Sequence, residues 1–244
     1  ALAAALTGRT PAYGMHLEEN RVPQFTFEVR ADLIENDDFG ALGKVIGEQL
    51  QSMEGVTIPY IRGISEATLE QLKSFSASLA TYGGTALFHM KDITPEAGNF
   101  EPPGNSIEIT QTELSSAKLE MTDGDASSAD FVSLGCPHLS IKEIARIAEL
   151  LEGKQVVKEF WITTGRPTKQ IADRMGYTET IEASGAKFAA DTCCVVAPIK
   201  GRFTALVTDS AKACYYASGK NQFQTILKPF DEVVYAAIGE ENAR

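Results

Sequence analysis

Apolar and polar positions along this chain fall into blocks, with strand-like runs followed repeatedly by helix-like ones. Gln24–Val29 and Thr57–Ile61 have the length and the β-branched or aromatic content of short strands. Glu66–Tyr82 carries Leu69, Leu72, Phe75, Ser76 and Leu79 at helical spacing and is closed by Gly83 and Gly84. Thr85–Met90 then reads as a buried strand. Thr94–Asn105 holds Pro95, Pro102 and Pro103 among further turn formers, the composition expected of a linker. The opening Ala1–Leu6 reads as helix, because a signal peptide would need a basic leader and a longer apolar run.

Beyond the linker the punctuation is sharper. Thr110 and Glu113 form a capping box that opens a helix to about Met121, and Ser140 and Glu143 form a second one. Ile141, Ile144, Ala145, Ala148 and Leu151 share one face of the helix that follows Ser140, and Gly153 ends it. Met121–Ala129 is a polar loop and Phe131–Leu134 a compact strand. Val156–Thr163, Lys187–Ala190, Thr204–Val207 and Thr225–Leu227 are the remaining strands. Helices are expected from Pro167, near Glu179–Ser184, from about Ser210, and over Asp231–Ile238. Strands alternating with helices predict an α/β protein whose mostly parallel sheets are flanked by helices. The linker divides it into α/β subdomains 1–105 and 106–244.

Composition narrows the function. The 244 residues are 43% hydrophobic and 23% charged, as in ordinary globular proteins. A formal net charge of −11 excludes a general binder of nucleic acid or of anionic membranes. Small anionic substrates stay open, since a few placed cations outweigh the bulk charge locally. No apolar run approaches the roughly 20 residues of a membrane span, and four cysteines in a chain this long do not make a secreted disulfide framework. A reducing cytoplasm is the expected setting. The chain opens without Met and inside a helical pattern, which suggests a processed or partial polypeptide.

The chemically distinctive residues follow the strands. Gly135-Cys136-Pro137-His138 comes after Leu134, Thr163-Thr164-Gly165-Arg166 after Ile162, Asp191-Thr192-Cys193-Cys194 after Ala190, and Thr208-Asp209-Ser210-Ala211-Lys212 after Val207. Ligands of open α/β sheets bind beyond the carboxyl ends of the strands, so four such segments imply one shared site if their strands are neighbours. Free N–H groups of the helix after Ser140 would favour a thiolate at Cys136. Adjacent Cys193 and Cys194 cannot easily reach one metal, no C-x-x-C spacing is present, and two cysteines fall short of the three or four thiolates of an iron–sulfur cluster. Cys214 and His89 read as core residues. His138 is either a donor at the site or a cap of its own turn. Lys212, with the hydroxyls around it, suits a carboxylate or phosphate, and equally a surface lysine beside an N-cap. The cluster from His16 to Arg21, including Asn20, is either functional or a solvated loop.

These segments carry a resemblance. Leu134-Gly135-Cys136-Pro137-His138-Leu139-Ser140 resembles the most recognisable motif of the aconitase X catalytic domain. Ala190-Asp191-Thr192-Cys193 with Val195-Val196-Ala197-Pro198 looks like its second cysteine motif, and Thr208–Tyr216 is similar to its Thr-Asn-Ser-(Gly/Ala)-Lys-Ala segment. Thr7-Gly8-Arg9-Thr10-Pro11 with His16–Arg21 looks like an upstream motif, so the matches run in order over nearly the whole chain. The resemblance implies an aconitase-like fold and a lyase that removes water from a hydroxy acid with an iron–sulfur cluster. Mevalonate 5-phosphate is the expected substrate and cis-3-hydroxy-L-proline the alternative. Cys136 and Cys193 match the family's cluster ligands. A further ligand is expected in an N-terminal region preceding Ala1, and a small swivelling-domain subunit is the expected partner. Ser210 is the implied base, by analogy with aconitase, and His138 assists the leaving oxygen. Lys212, Arg166, Thr208, His16, Asn20 and Arg21 are the implied substrate-binding residues. The sequence departs from the family pattern at Cys194, where an apolar residue is usual, and at Asp209, where Asn is usual and a charge is added beside the anion site. The alternative of another class is a non-catalytic α/β binding module with packed cysteines.

Overall fold

In the computed structural model, which describes residues 2–239 except 54 and 56, every paired strand runs parallel to its neighbours. Parallel pairing requires a crossover between consecutive strands, and helices supply it. The first layer contains β1 (Phe25–Val29), α2 (Asn36–Gln51), β2 (Pro59–Arg62), α3 (Leu69–Gly83), β3 (His89–Met90), β4 (Ser106–Ile109) and α4 (Gln111–Glu120). Its strands lie in the order β3-β2-β1-β4. Ahead of it comes α1 (Leu2–Thr7), which buries nothing; Ala1 lies outside the described residues.

The second layer contains β5 (Phe131–Leu134), α5 (Ile141–Leu151), β6 (Glu159–Thr164), α6 (Arg166–Arg174), α7 (Tyr177–Ala183), β7 (Lys187–Ala190), β8 (Ala205–Thr208), α8 (Ala211–Tyr216), β9 (Gln224–Leu227) and α9 (Phe230–Ile238). The strand order is β7-β6-β5-β8-β9. β5 and β8 are buried along their whole lengths, as central parallel strands covered on both faces must be. The three expected N-caps are present: Thr110, Ser140 and Ser210 each accept a backbone N–H of the helix they precede.

Three differences from the sequence reading have physical causes. The division expected at residue 105 falls after α4. β4 pairs with β1 from Thr26↔Ser106 to Val29↔Ile109, and Lys118 of α4 forms ion pairs with Asp37 and Asp38 of α2, at 2.7 Å for Asp37. The strand expected over Thr85–Met90 is reduced to its last two residues, because only His89 and Met90 reach β2.

The third difference is α2, which is not among the elements expected from periodicity. Gly40, Gly43 and Gly47 interrupt its sequence pattern, and glycine disfavours helix interiors. Those glycines form the face against which other helices close. A Cβ on Gly43 would lie 2.7 Å from the Phe75 carbonyl oxygen and 2.8 Å from the Ser78 Cβ of α3. A Cβ on Gly40 would lie 3.3 Å from the Ala211 Cβ of α8. The core of the first layer accordingly joins Phe39, Leu42 and Ile46 of α2 with Phe75 and Leu79 of α3, and extends to Ala211 and Cys214 of the second layer.

Gly43→Ala is therefore expected to destabilise the protein by roughly 2 kcal/mol, overpacking at backbone outweighing the ~1 kcal/mol gain in helix propensity. Gly104→Ala, where a Cβ meets nothing within 4 Å, serves as the control. Urea unfolding measures both, and unchanged or increased stability of Gly43→Ala contradicts the close-contact account.

Candidate active site

The strand order of the second sheet reverses between β5 and β8, which makes the crevice beyond their carboxyl ends the natural binding place of this architecture. β7, β6, β5 and β8 are consecutive neighbours, so the four distinctive segments do converge. The condition left open by the sequence is met.

Cys136 is placed by its neighbours' backbone. Gly135 has φ +111, and a Cβ there would lie 2.2 Å from the Thr163 carbonyl oxygen, so only glycine lets the end of β5 pass the end of β6. The Thr163 hydroxyl donates to the Gly135 carbonyl at 2.9 Å, and the Leu139 N–H donates to the Thr163 carbonyl at 3.1 Å. Across the reversal point, the Ser210 hydroxyl donates to the Cys136 carbonyl. The Ser210 oxygen also accepts the Ala213 N–H at 3.0 Å as cap of α8. Thr208 supports this turn by accepting the Ser210 N–H at 3.3 Å.

Cys193 comes to the same place from the β7 end. Cys193 packs against the cluster that contains Cys136, and the neighbouring Cys136 thiol favours the thiolate at Cys193 and holds its pKa below the usual thiol range. N–H groups of Val196 and Val195 and the charge of His138 act in the same direction, against partial burial. Donation to Cys193 followed by burial pushes Cys136 up. Cys194 is buried and raised to about 12 by desolvation, and Cys214 is a fully buried core thiol. Cys193 is the less buried of the adjacent pair, and both pack in the cluster that contains Cys136.

The other expected site residues divide. His138 is exposed and its Nε2–H donates to the Thr192 carbonyl at 2.9 Å, beside Cys193. Arg166 closes an exposed ion pair with Asp191, Nε to Oδ2 2.8 Å, while its backbone N–H donates to Oδ1 at 2.8 Å. Lys212 is half-buried near Cys136, whose pKa it acts to lower, and forms no ion pair with any described carboxylate. His16, Asn20 and Arg21 are not brought to this crevice by the described residues. They precede the amino end of β1, where His16 meets Thr10, Asn20 donates to the Gly14 carbonyl at 2.9 Å, and Arg21 pairs with Glu96 at 2.6 Å.

Periodicity did not reveal the first layer's contribution. Asn36 at the start of α2 and Glu70, Lys73 and Ser74 in the first turns of α3 line a cleft with Cys136, Pro137, Glu143, Asp209 and Ser210. The cleft has space for about one water, too little for a hydroxy acid. Asp209 faces it rather than the open crevice. Burial, and then the charges of Glu143 and Asp37, push its carboxyl up to about 7. The full negative charge expected beside the anion site is thereby reduced. Among the described residues no group of three or more His, Cys, Asp or Glu side chains converges as a metal site, so Cys136 and Cys193 stand as a pair.

Comparison with known proteins agrees with this fold. The model of the aconitase X second domain matches residues 23–119, and that of the third domain matches residues 129–239. The phosphomevalonate dehydratase large subunit of Methanosarcina mazei is 38% identical over 98% of this chain and 58% of its own length. The cis-3-hydroxy-L-proline dehydratase of Pseudomonas aeruginosa is 32% identical over 98% of the chain and 43% of its own. The crystal structure of the holo-form of Thermococcus kodakaraensis aconitase X superposes with a TM-score of 0.87 at 33% identity, over 100% of this chain and 61% of that one. The chain spans less than two thirds of each.

Because burial raises Asp209 from its unfolded value, it favours the fold below about pH 4, and that contribution is lost as pH rises through about 7. Asp209→Asn is therefore expected to be more stable than the parent above pH 7, by up to about 4 kcal/mol, with the difference vanishing near pH 4. Urea unfolding across this range decides it; a pH-independent difference contradicts the buried-carboxyl account.

Proposed function

The chain belongs to the aconitase X family, and from that premise we propose that it forms part of a dehydratase large subunit that removes water from a small hydroxy acid. The observation that carries this reading is the thiol pair of Cys136 and Cys193 at the reversal point of a parallel sheet. Two meeting sulfurs, one favoured as thiolate, suit the donor chemistry of an iron–sulfur cluster and fill part of a set that normally has three or four. When bound there, a cluster iron supplies a Lewis acid for the departing hydroxyl. The remaining ligands come from sequence beyond these 244 residues.

The chain's own groups take the other roles. Lys212, half-buried and without a carboxylate partner, holds the substrate anion, and Arg166 joins it by exchanging Asp191 for substrate. His138 turns its ring N–H from the Thr192 carbonyl to the leaving oxygen. Ser210 would take the proton from the adjacent carbon as its alkoxide, after the hydroxyl proton it now donates to the Cys136 carbonyl has passed to solvent. Thr208 holds the Ser210 turn in place.

Mevalonate 5-phosphate is the favoured substrate, because the relatives named phosphomevalonate dehydratase reach 38% identity and those named for cis-3-hydroxy-L-proline reach 32%. Relatives of the first kind are named large subunits, which supports a small-subunit partner carrying the swivelling domain. A cytoplasmic setting fits four free cysteines, and no described helix is long and apolar enough to cross a membrane.

The full-length protein, prepared anaerobically with its small subunit, is expected to bind iron and sulfide and to dehydrate mevalonate 5-phosphate faster than cis-3-hydroxy-L-proline. Absence of iron, or turnover of neither compound, removes this reading. Ser210→Ala is expected to lower kcat on the order of a hundredfold, and a near-normal kcat excludes it as base. The 244-residue chain alone is expected to retain less than one cluster per molecule by iron analysis. Stoichiometric retention would give the missing ligand role to Cys194 or Cys214.

A further inference from the structure

The cysteine loop Cys136-Pro137-His138 belongs to the second layer, yet it is held from both. Its Cys136 carbonyl accepts the Ser210 hydroxyl from α8. Its His138 carbonyl accepts the Lys73 ammonium, 2.8 Å away, from α3 of the first layer. The same ammonium pairs with Glu143 at 2.7 Å, and that carboxylate is itself 10% exposed. Glu143 also accepts the Ser140 N–H at 2.7 Å, closing the cap of α5, and the Asn36 side-chain amide of α2 at 3.4 Å. One buried carboxylate thus gathers donors from α2, α3 and the start of α5, and Lys73 hands its remaining donor capacity to the loop that carries Cys136.

We propose that Lys73 is a positioning residue that fixes the Cys136 loop from the opposite layer and so holds the Cys136 thiol against Cys193. A charge-assisted bond to a carbonyl is stronger and more directional than a neutral one, and Lys73 is three-quarters buried, so water competes weakly for it. Loss of the ammonium leaves the His138 carbonyl without that donor and the Glu143 carboxylate without its counter-charge. The loop then keeps its bonds to Ser210, Thr163 and Thr192 but loses its one tether to the first layer among the described residues. The consequence is local: the Cys136–Cys193 contact loosens, while Cys214, buried in the core of the first layer rather than in the cluster of Cys136, keeps its protection. A bound cluster would be lost faster for the same reason, a corollary that rests on the function proposed above.

The test uses the full-length protein stripped of metal by chelator and reductant, so that its primary readout needs no cluster. Native-state alkylation by iodoacetamide is followed at each cysteine by peptide mass spectrometry. Lys73→Met, which keeps the stem and removes the charge, is expected to raise the alkylation rate of Cys136 about tenfold, the equivalent of one lost hydrogen bond. The Cys214 rate should stay unchanged, and Lys73→Arg should restore most of the protection of Cys136. Glu143→Gln, which retains an acceptor for the Ser140 N–H, should reproduce the Lys73→Met pattern and decides the matter if that variant does not fold. Wild-type rates at Cys136, or a parallel rise at all four cysteines, overturn the proposal. Failure to find iron in the untreated protein would overturn the function proposed above and leave this thiol result standing.

Discussion

The close passage of Gly135 against Thr163 is the contact on which the site depends. Two parallel strands can end side by side anywhere, but here the chain leaving β5 crosses the end of β6 with no side chain between them. Thr163 then binds the carbonyls of Leu134 and Gly135 with its hydroxyl and the Leu139 N–H with its carbonyl. The turn between β5 and α5 is fixed at both ends, and Cys136 is held toward β7 and β8. A side chain at 135 would push the turn away and separate Cys136 from Cys193.

Once that turn is fixed, the chemistry of the crevice follows from what is buried and what is not. Cys136 is buried and donates; Cys193 is half-buried and receives, with backbone N–H groups around it. The thiolate is therefore favoured on one side of the pair, chiefly by the neighbouring thiol and backbone N–H groups. Lys212, without a carboxylate partner among the described residues, stands near, so a chain with net charge −11 presents a cation beside the cysteines. Asp209 sits next to this cation in sequence but faces the narrow cleft, where desolvation opposes its charge.

The two layers are not independent shells. α2 lies between them, its glycines admitting α3 on one side and α8 on the other, and the Tyr82 hydroxyl of α3 donates to the Ala211 carbonyl at 3.1 Å. That packing brings the first turns of α2 and α3 over the cysteine loop. Lys73 and Asn36 can reach Glu143 because the helices are so close, and the helices are so close because residues 40, 43 and 47 have no side chains.

By itself the sequence determined what depends on neighbours within a few positions. Thr110, Ser140 and Ser210 cap their helices, the strands of the second layer lie close to where β-branched and aromatic runs put them, and the cysteine motifs follow strand ends. These are local hydrogen bonds and local periodicities, written in consecutive residues. Tertiary structure decided the rest. Glycines that weaken α2 as an isolated helix are the ones its packing needs, so a propensity argument passes over the helix on which both layers close. Residues 106–109 look like the tail of a proline-rich linker until β1 supplies the partner that makes them a strand. The meeting of Cys136 with the Cys193 segment, the pairing of Arg21 with Glu96 and the reach of Lys73 into the cysteine loop all depend on distances between residues far apart in the chain. No pattern along the sequence encodes such distances; they arise when apolar faces find each other and close-packing leaves one arrangement.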